Sequence, residues 1–401
     1  MSAALKQYLL VTGNYWAFTL TDGALRMLVL LHFYQLGYSP LQLASLFLLY
    51  ELCGVVTNLV GGYLGARVGL NKTMNLGLAL QVLALGMLLV PADWLTVVWV
   101  MAAQALSGIA KDLNKMSAKS AIKQLVPAGA DSMLYRYVAV LTGSKNALKG
   151  AGFFLGGLLL TQLGFQGAVA AMTGALALVW LLSLVLLTQE LGKSSFKPKF
   201  SDLLAKSQAI NALSAARLFL FGARDLWFAL ALPLFLASEL GWSQQGIGTF
   251  MACWVIGYGI VQTLAPALTG KKSGRMPERS AVIGWAFLLA ALPVALALTL
   301  TFVLPDQWPT ETLLVAGLLL FGAIFAINSS LHSYLIVRYA TADGVSLDVG
   351  FYYMANAMGR LIGTLLSGYL FQHYGLVACL WGSAVFVLLS ASCARWLPKS
   401  A

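Results

Sequence analysis

Residues 149–164 read KGAGFFLGGLLLTQLG, and residues 360–375 read RLIGTLLSGYLFQHYG. Each stretch begins with a basic residue and carries glycines three, eight and fifteen positions later. Most of the remaining residues are apolar, and about 20 mostly apolar residues are enough for a helix to cross the hydrocarbon core of a bilayer. The repeat predicts two equivalent membrane helices in distant parts of one chain.

The composition of the whole chain agrees with a membrane protein. Of 401 residues, 60% are hydrophobic and only 10% are charged, with a mean hydropathy of +0.82. Soluble domains carry about 25% charged residues. The first apolar stretch, residues 8–34, contains Asp22 and Arg26 and lacks a small-residue cleavage site, so we expect it to remain as a span and not to act as a signal peptide.

Twelve segments have the length and hydropathy of membrane helices, and helices suit a bilayer because they satisfy their own backbone groups. The predicted spans are residues 8–35, 41–66, 73–91, 94–116, 138–162, 166–188, 211–237, 245–268, 281–304, 312–337, 348–372 and 376–396.

The connecting segments alternate in charge, which predicts the orientation of the chain. Six of them lack Lys and Arg: 36–40, 91–93, 163–166, 238–245, 305–311 and 373–376. The others hold Arg67, Lys72, Lys119, Lys123, Arg136, Lys193, Lys197, Lys199, Lys206, Lys271, Lys272, Arg275, Arg279 and Arg338. The positive-inside rule places these basic loops and both termini in the cytoplasm. The net charge of +11 is therefore explained by membrane orientation, and we expect no nucleic-acid partner.

A polar stretch near the middle divides the chain into two six-helix halves, residues 1–188 and 211–401, with a cytoplasmic linker at 189–210. The sequence LGYS at 36–39 corresponds to LGWS at 240–243 in the second half. Two such parallel pseudo-repeats resemble the architecture of major facilitator transporters, in which the substrate site lies near the midplane.

The loop after the second span contains part of a motif of that family. The family pattern has glycine, leucine, aspartate, arginine and glycine in a fixed order. This chain has Gly62, Leu64, Arg67 and Gly69, with Ala66 at the aspartate position. The partial match favours the family and weakens any inference about the motif's role in gating.

Ionisable residues within the spans are predominantly basic. Each costs at least about 2.5 kcal/mol at the bilayer centre, so each is a functional candidate. A surplus of buried cations predicts an anionic substrate, because unpaired charge in a low dielectric is costly. The basic set is Arg26, Lys111, Lys115, Lys145, Lys149, Arg217, Arg224 and Arg360, and the acidic set is Asp22, Glu51, Asp112 and Asp225.

Helical spacing groups several of these residues. Gln104, Ser107, Lys111 and Lys115 follow steps of three or four and share one face of the fourth span. Lys145 and Lys149 share a face of the fifth span in the same way, and Arg26 and Arg224 lie on pseudo-equivalent helices from which they could clamp a ligand through bidentate bonds. The predicted substrate-binding residues are Arg26, Lys111, Lys115, Lys145, Lys149, Arg224, Arg360, Asn114 and Asn328.

Structural roles are alternatives for several of these residues. Lys115, Lys119 and Arg217 would then face headgroups or loops at the cytoplasmic ends of their helices. Asp22 and Arg26, four residues apart, would form a structural pair.

The acidic residues raise a similar choice. Adjacent helical residues point about 100° apart, so we do not expect Arg224 and Asp225 to face each other. His332 is expected to make a hydrogen-bonded helix contact. The candidates for proton coupling are Asp22, Glu51, Asp112 and Asp225, although each could instead neutralise a neighbouring cation.

No enzyme signature is present in the sequence. A phosphate-cradling glycine loop with its lysine, a Ser/His/Asp set and a metal-ligand cluster are all missing. We therefore expect neither enzymatic activity nor a cofactor or metal.

Four polar strings within the spans carry a more specific resemblance. They are GNYWAFTLTDGALR at 13–26, GIAKDLNKMSAK at 108–119, GSKNALKG at 143–150 and FGARD at 221–225. Together they closely resemble the ArsJ-type organoarsenical efflux permeases of bacterial arsenic operons. The resemblance runs through most of the chain and is strongest in spans one to five and seven.

This resemblance implies export of 1-arseno-3-phosphoglycerate, which a glyceraldehyde-3-phosphate dehydrogenase encoded beside the permease forms from arsenate. It also implies a multi-pass protein of the bacterial cytoplasmic (inner) membrane, which we expect to be a monomer. No binding residues are carried over from this family, so the predicted site rests on the charge argument. As mechanism we expect alternating access coupled to proton entry.

Two other functions remain open from the sequence. One is a permease or antiporter for ordinary organophosphates or inorganic oxyanions. The other is a transporter-shaped sensor or scaffold that moves nothing.

Overall fold

A computed structural model describes residues 3–38, 46, 48–127, 129–187, 206–228, 231–242, 244–269, 277–302, 310–342 and 344–398. Every regular element among these residues is helical, which confirms the all-α prediction. The helices are α1 (Ala3–Gln35), α2 (Leu48–Val68), α3 (Leu70–Met87), α4 (Val97–Leu125), α5 (Asp131–Leu186), α6 (Gln208–Phe228), α7 (Ala231–Ser238), α8 (Gln244–Thr269), α9 (Arg279–Phe302), α10 (Thr310–Tyr339) and α11 (Val345–Ala394), with a 3₁₀ turn at Ala92–Trp94. Most of the predicted linker and the basic residues Lys193, Lys197, Lys199, Lys271, Lys272 and Arg275 lie outside the described residues.

The last glycine of each repeated stretch interrupts a long helix. Gly164 in α5 has φ 65° and Gly375 in α11 has φ 74°, and both have ψ close to 180°. Side chains rarely tolerate this backbone region, which glycine adopts without steric cost. Each glycine therefore separates two helical segments, at the boundaries predicted between spans five and six and between spans eleven and twelve.

Six described helices are long and apolar enough to cross a membrane by length and composition. Two of them, α5 with 56 residues and α11 with 50, are long enough for two crossings on either side of their glycine break. Helices α1 and α4, with 33 and 29 residues, are also long enough but carry polar and ionisable side chains within their length. The apolar helices agree with a multi-pass membrane protein.

The chain forms two compact units, each with its own apolar core. Unit 1 comprises Met1–Tyr137, Ser144–Ala205 and Ala340–Met354, and unit 2 comprises Val138–Gly143, Lys206–Tyr339 and Ala355–Ala401. Phe18, Leu28 and Phe33 from α1 are buried in the core of unit 1, and Trp227, Trp254 and Phe321 form an aromatic group in that of unit 2. The predicted boundaries of the two halves remain a prediction.

Glycines bring two helices close together in the same way in each unit. In unit 1, a β-carbon added at Gly152 of α5 would lie 3.1 Å from the α-carbon of Gly23 in α1. In unit 2, a β-carbon added at Gly363 of α11 would lie 3.0 Å from the α-carbon of Gly222 in α6. The same added carbons would lie 2.7 Å from the Leu20 carbonyl oxygen and 2.6 Å from the Gly222 carbonyl oxygen, and real side chains essentially never approach backbone so closely, so these helix contacts require glycine.

The partial loop motif has a packing role in unit 1. Ala66 is fully buried and packs in a small apolar cluster with Leu347, which explains why an apolar residue suits the position of the family's aspartate. The hydroxyl of Ser346 donates to the Gly62 carbonyl at 2.8 Å, and the guanidinium of Arg67 donates to the Tyr63 hydroxyl at 2.7 Å.

Candidate substrate site

A buried tyrosine in unit 1 contacts three charged side chains from two other helices. The Tyr50 hydroxyl of α2 donates to the Asp22 carboxylate of α1 at 2.6 Å. Its ring centroid lies 4.5 Å from the guanidinium carbon of Arg26 in α1 and 3.7 Å from the ammonium of Lys111 in α4. These four residues are called the Tyr50 cluster. Cations within about 6 Å of a ring centroid are attracted to the ring's electron-rich face.

Lys111 is the most informative member of the Tyr50 cluster. Its ammonium lies in the middle of α4, half-buried, and within the described part of the chain it has the Tyr50 ring as its contact and no carboxylate partner. A ring stabilises a buried cation less than an ion pair does, because its quadrupole supplies no full charge. Lys111 therefore retains most of its capacity to bind an anion.

Directly after Lys111 on α4, Asp112 forms an ion pair with Lys115, one helical turn further along. The Lys115 ammonium lies 2.6 Å from the Asp112 carboxylate, which also accepts from the Thr57 hydroxyl at 3.4 Å. The Lys115 ammonium also lies 4.5 Å from the ring centroid of Tyr353. Asp112 is 1% exposed and Lys115 11%, so the pair is largely desolvated. Asp112 neutralises this lysine, which leaves Lys111 as the less compensated cation of the predicted face.

Two basic residues with an alternative surface role are buried in protein. Lys119 is 2% exposed and Arg217 3% exposed, and the Lys119 ammonium lies 5.2 Å from the Tyr353 ring centroid. The alternative that these two side chains face headgroups is therefore wrong. Neighbouring helices therefore cover both side chains.

In unit 2, one carboxylate binds two arginines. Asp225 of α6 lies 2.5 Å from Arg224 and 3.1 Å from Arg360 of α11. These residues are called the Asp225 triad. The expectation that Arg224 and Asp225 do not face each other is wrong, because the long arginine side chain reaches around the helix to its shorter neighbour. Two guanidiniums on one carboxylate leave the triad with a net positive charge.

A third arginine of unit 2 donates hydrogen bonds to neutral groups. The Arg217 guanidinium donates to the Asn356 side-chain oxygen at 2.9 Å and to the Ser329 hydroxyl at 3.1 Å. It also lies 3.8 Å from the ring centroid of Phe221.

His332 is fully buried in the same unit, and neither ring nitrogen finds a hydrogen-bond partner in the part of the chain that the structure describes. The expected hydrogen-bonded helix contact of His332 is therefore wrong.

The paired asparagines have the same local geometry in the two units. Asn114 donates to the carbonyl of Ala110, and Asn328 donates to the carbonyl of Ile324, both at 3.1 Å across one helical turn. Asn328 also donates to the Trp285 carbonyl of α9. Both side chains are fully buried, and their amide nitrogens donate to backbone carbonyls. Substrate binding by these asparagines remains a prediction.

The other predicted residues lie outside these clusters. Lys145 and Lys149 are half-buried on α5, where the Lys149 carbonyl faces Gly23 of α1. The Glu51 side chain lies outside the described residues. Arg26 belongs to unit 1 and Arg224 to unit 2, so a clamp between them stays a prediction.

The sequence did not identify Tyr50 as a site residue. It lies 28 positions from Asp22, and no helical spacing links two residues on different helices. The only local sign is an aromatic residue with a hydroxyl in a span that also carries an acid, and tyrosine is common in apolar helices for other reasons.

Comparison with known proteins identifies the fold and family. The family model described as Major Facilitator Superfamily matches residues 9–231 and again 213–401. No curated protein sequence matches the chain significantly.

Among solved structures, the human organic anion transporter MFSD10 is similar to the chain with a TM-score of 0.78 at 16% identity, over 98% of this chain and 100% of that one. The E. coli fucose:proton symporter FucP gives 0.76 at 12% identity over 100% of both chains. A bacterial homologue of the iron transporter ferroportin in an outward-facing state gives 0.76 at 14% identity, over 97% of this chain and 99% of that one. At these identities the likeness establishes the fold, and the fold class predicted from the sequence is confirmed.

Proposed function

The chain belongs to the Major Facilitator Superfamily and is a secondary transporter rather than an enzyme, and we propose that it exports the organoarsenical 1-arseno-3-phosphoglycerate from the cytoplasm. Export proceeds by alternating access and is coupled to proton entry. The substrate is produced by a glyceraldehyde-3-phosphate dehydrogenase that works with the transporter. The protein is a monomer of the bacterial cytoplasmic membrane with both termini in the cytoplasm.

The observation that carries an anionic substrate is the environment of Lys111. An ionised side chain inside a span costs at least about 2.5 kcal/mol, and the ring of Tyr50 offsets only part of this cost. An oxyanion bound to the ammonium would offset more, because charge-assisted hydrogen bonds are stronger than ring contacts. A neutral substrate would leave the cost in place.

A substrate with two anionic groups agrees with the other cations. Arg26 contacts the Tyr50 ring beside Lys111, and its planar guanidinium matches phosphate or arsenate oxygens bidentately. The Asp225 triad of unit 2 carries a further net positive charge. The fold is compatible with such cargo, since one similar structure belongs to a transporter of organic anions. The arsenical itself is supported by the sequence resemblance in the spans.

The proton-coupling role is proposed for the buried carboxylates, with Asp22 as the foremost candidate. Asp22 accepts a hydrogen bond from a neutral tyrosine hydroxyl, whereas Asp112 and Asp225 each bind a basic side chain. A carboxylate already engaged in an ion pair neutralises that partner, which is the commoner role of a buried acid.

Everted membrane vesicles test the proposal because their outer face is the cytoplasmic one. Arsenate, glyceraldehyde-3-phosphate, NAD and a glyceraldehyde-3-phosphate dehydrogenase are supplied outside, and arsenic inside the vesicles is measured while each component is omitted in turn. We expect uptake that requires every component and that falls when a protonophore collapses the proton gradient. Uptake that ignores the gradient would remove the coupling.

Other outcomes assign other functions. Uptake of arsenate or of a sugar phosphate without the dehydrogenase identifies a permease for ordinary organophosphates or oxyanions. No uptake from vesicles that contain folded protein identifies a sensor or scaffold. The variants Arg26→Ala and Arg224→Ala, expressed at equal levels, test the predicted clamp, because a clamp needs both arginines and a scaffold needs neither.

A further inference from the structure

Tyr50 is placed to do more than fill space between helices. It is 1% exposed, and its ring and hydroxyl together contact the side chains of Asp22, Arg26 and Lys111. One neutral residue therefore contacts two of the predicted substrate-binding cations and one proton-coupling candidate.

The position of the Tyr50 ring is fixed at both ends. A β-carbon added at Gly108 of α4 would lie 2.6 Å from the Tyr50 carbonyl oxygen, so the backbones of α2 and α4 are in close contact at this residue. At the other end, the hydroxyl is bound to Asp22 at 2.6 Å. The ring is thereby held against Arg26 and Lys111 by the fold itself.

We propose that Tyr50 is a resting partner of Arg26 and Lys111, a positioning residue whose ring helps to stabilise the two cations while the site is empty. The oxygens of the anion replace the ring as their partner when substrate binds. This inference rests on the proposed anion transport and adds how the empty transporter tolerates its cations. The exchange is favourable because an oxyanion binds a cation more strongly than a ring face does.

The exchange predicts an effect that a purely structural tyrosine would not have. Weakening the ring contact destabilises the empty protein but not the anion-bound protein. The increase in melting temperature caused by an anion must then become larger, by linkage between binding and folding. A tyrosine that only packs would lower the melting temperature of both states equally.

The test measures thermal unfolding of the purified protein with and without 2,3-bisphosphoglycerate, a stable doubly anionic probe, together with its dissociation constant. For Tyr50→Leu we expect a lower melting temperature without the probe, a larger increase with it, and several-fold tighter binding than in the wild type. The matched control is Tyr63→Leu, since Tyr63 lies on the same helix and contacts Arg67 outside the Tyr50 cluster. This control should leave the probe-induced increase unchanged.

A milder pair of variants keeps the test decisive if Tyr50→Leu does not fold. One variant is Tyr50→Phe, and the other has 3,4,5-trifluorophenylalanine at position 50. The two rings have nearly the same shape, but fluorination removes the electron density that attracts cations. We expect a larger probe-induced increase for the fluorinated ring. The proposal is overturned if the probe raises the melting temperature of the fluorinated variant by no more than that of Tyr50→Phe.

The outcomes also separate this inference from the proposed function. Transport by the wild type with an unchanged probe effect in the Tyr50 variants removes the role of Tyr50 and leaves anion transport standing. A wild type that neither responds to the probe nor takes up arsenic in vesicles removes both.

Discussion

Tyr50 in unit 1 and Phe221 in unit 2 share one feature, because each ring lies against two basic side chains. Their surroundings differ. Beside Phe221, Arg224 has Asp225 as an ion-pair partner at 2.5 Å. Beside Tyr50, Lys111 has the ring itself as its contact among the described residues.

The difference shows that a surplus of buried cations does not have the same meaning throughout the molecule. In unit 2 a carboxylate within the protein neutralises part of the charge. In unit 1 no carboxylate among the described side chains pairs with Lys111, which is the arrangement expected where an external anion is the missing partner.

The largest loss of stability is expected when the Asp225 carboxylate is removed, because it neutralises part of the positive charge in unit 2. Asp225→Asn leaves Arg224 and Arg360 without their shared carboxylate, and breaking a buried pair in this way destabilises by about 3 kcal/mol. Thermal unfolding of the purified protein measures the loss. Glu311→Gln is the control, because this exposed acid receives a hydrogen bond from Trp242 that an amide can also accept, and its effect should stay within about 0.5 kcal/mol. Equal stability of the Asp225 variant and the wild type would contradict the comparison.

A smaller loss of stability, equal in the two units, is expected when the glycines at their corresponding helix contacts are replaced. Gly152→Ala and Gly363→Ala each place a methyl group against the backbone of a neighbouring helix, and such overpacking costs about 2 kcal/mol. Gly174→Ala on α5 is the control, since nothing lies within 4 Å of the added carbon there. If unfolding measurements show a large loss of stability for only one of the two variants, the sequence repeat does not correspond to equivalent helix packing in the two units.

The smallest effect on stability is expected at Asp22. In Asp22→Asn the amide oxygen still accepts the hydrogen bond of Tyr50, so stability falls by only about 1 kcal/mol. Vesicle uptake by this variant should no longer respond to an imposed proton gradient if Asp22 carries the coupling proton. A response as large as in the wild type would transfer that role to another carboxylate.

Much of the fold could be predicted from the sequence because a bilayer makes length and hydropathy decisive. The repeated glycines were informative for a further reason, since Gly164 and Gly375 both adopt positive φ and break their helices at corresponding positions. Sequence spacing therefore located both helix breaks correctly.

The candidate site could be predicted only in part, because its contacts connect different helices. The sequence identified Arg26 and Lys111 as interior cations, but the ring of Tyr50 that contacts both became visible only when three helices were packed together. Helical geometry also misled at Arg224 and Asp225, since the angle between adjacent positions ignores how far an arginine side chain extends.

The measurement that tests the account most directly is the initial rate of dehydrogenase-dependent arsenic uptake into everted vesicles containing Lys111→Ala. We expect the rate to fall at least about tenfold, which corresponds to about 1.4 kcal/mol, with no loss of stability because a poorly compensated charge has been removed. Lys111→Arg should restore part of the rate. Lys123→Ala, in the last turn of the same helix, should transport like the wild type. Wild-type uptake by Lys111→Ala would contradict the claim that this cation binds the substrate.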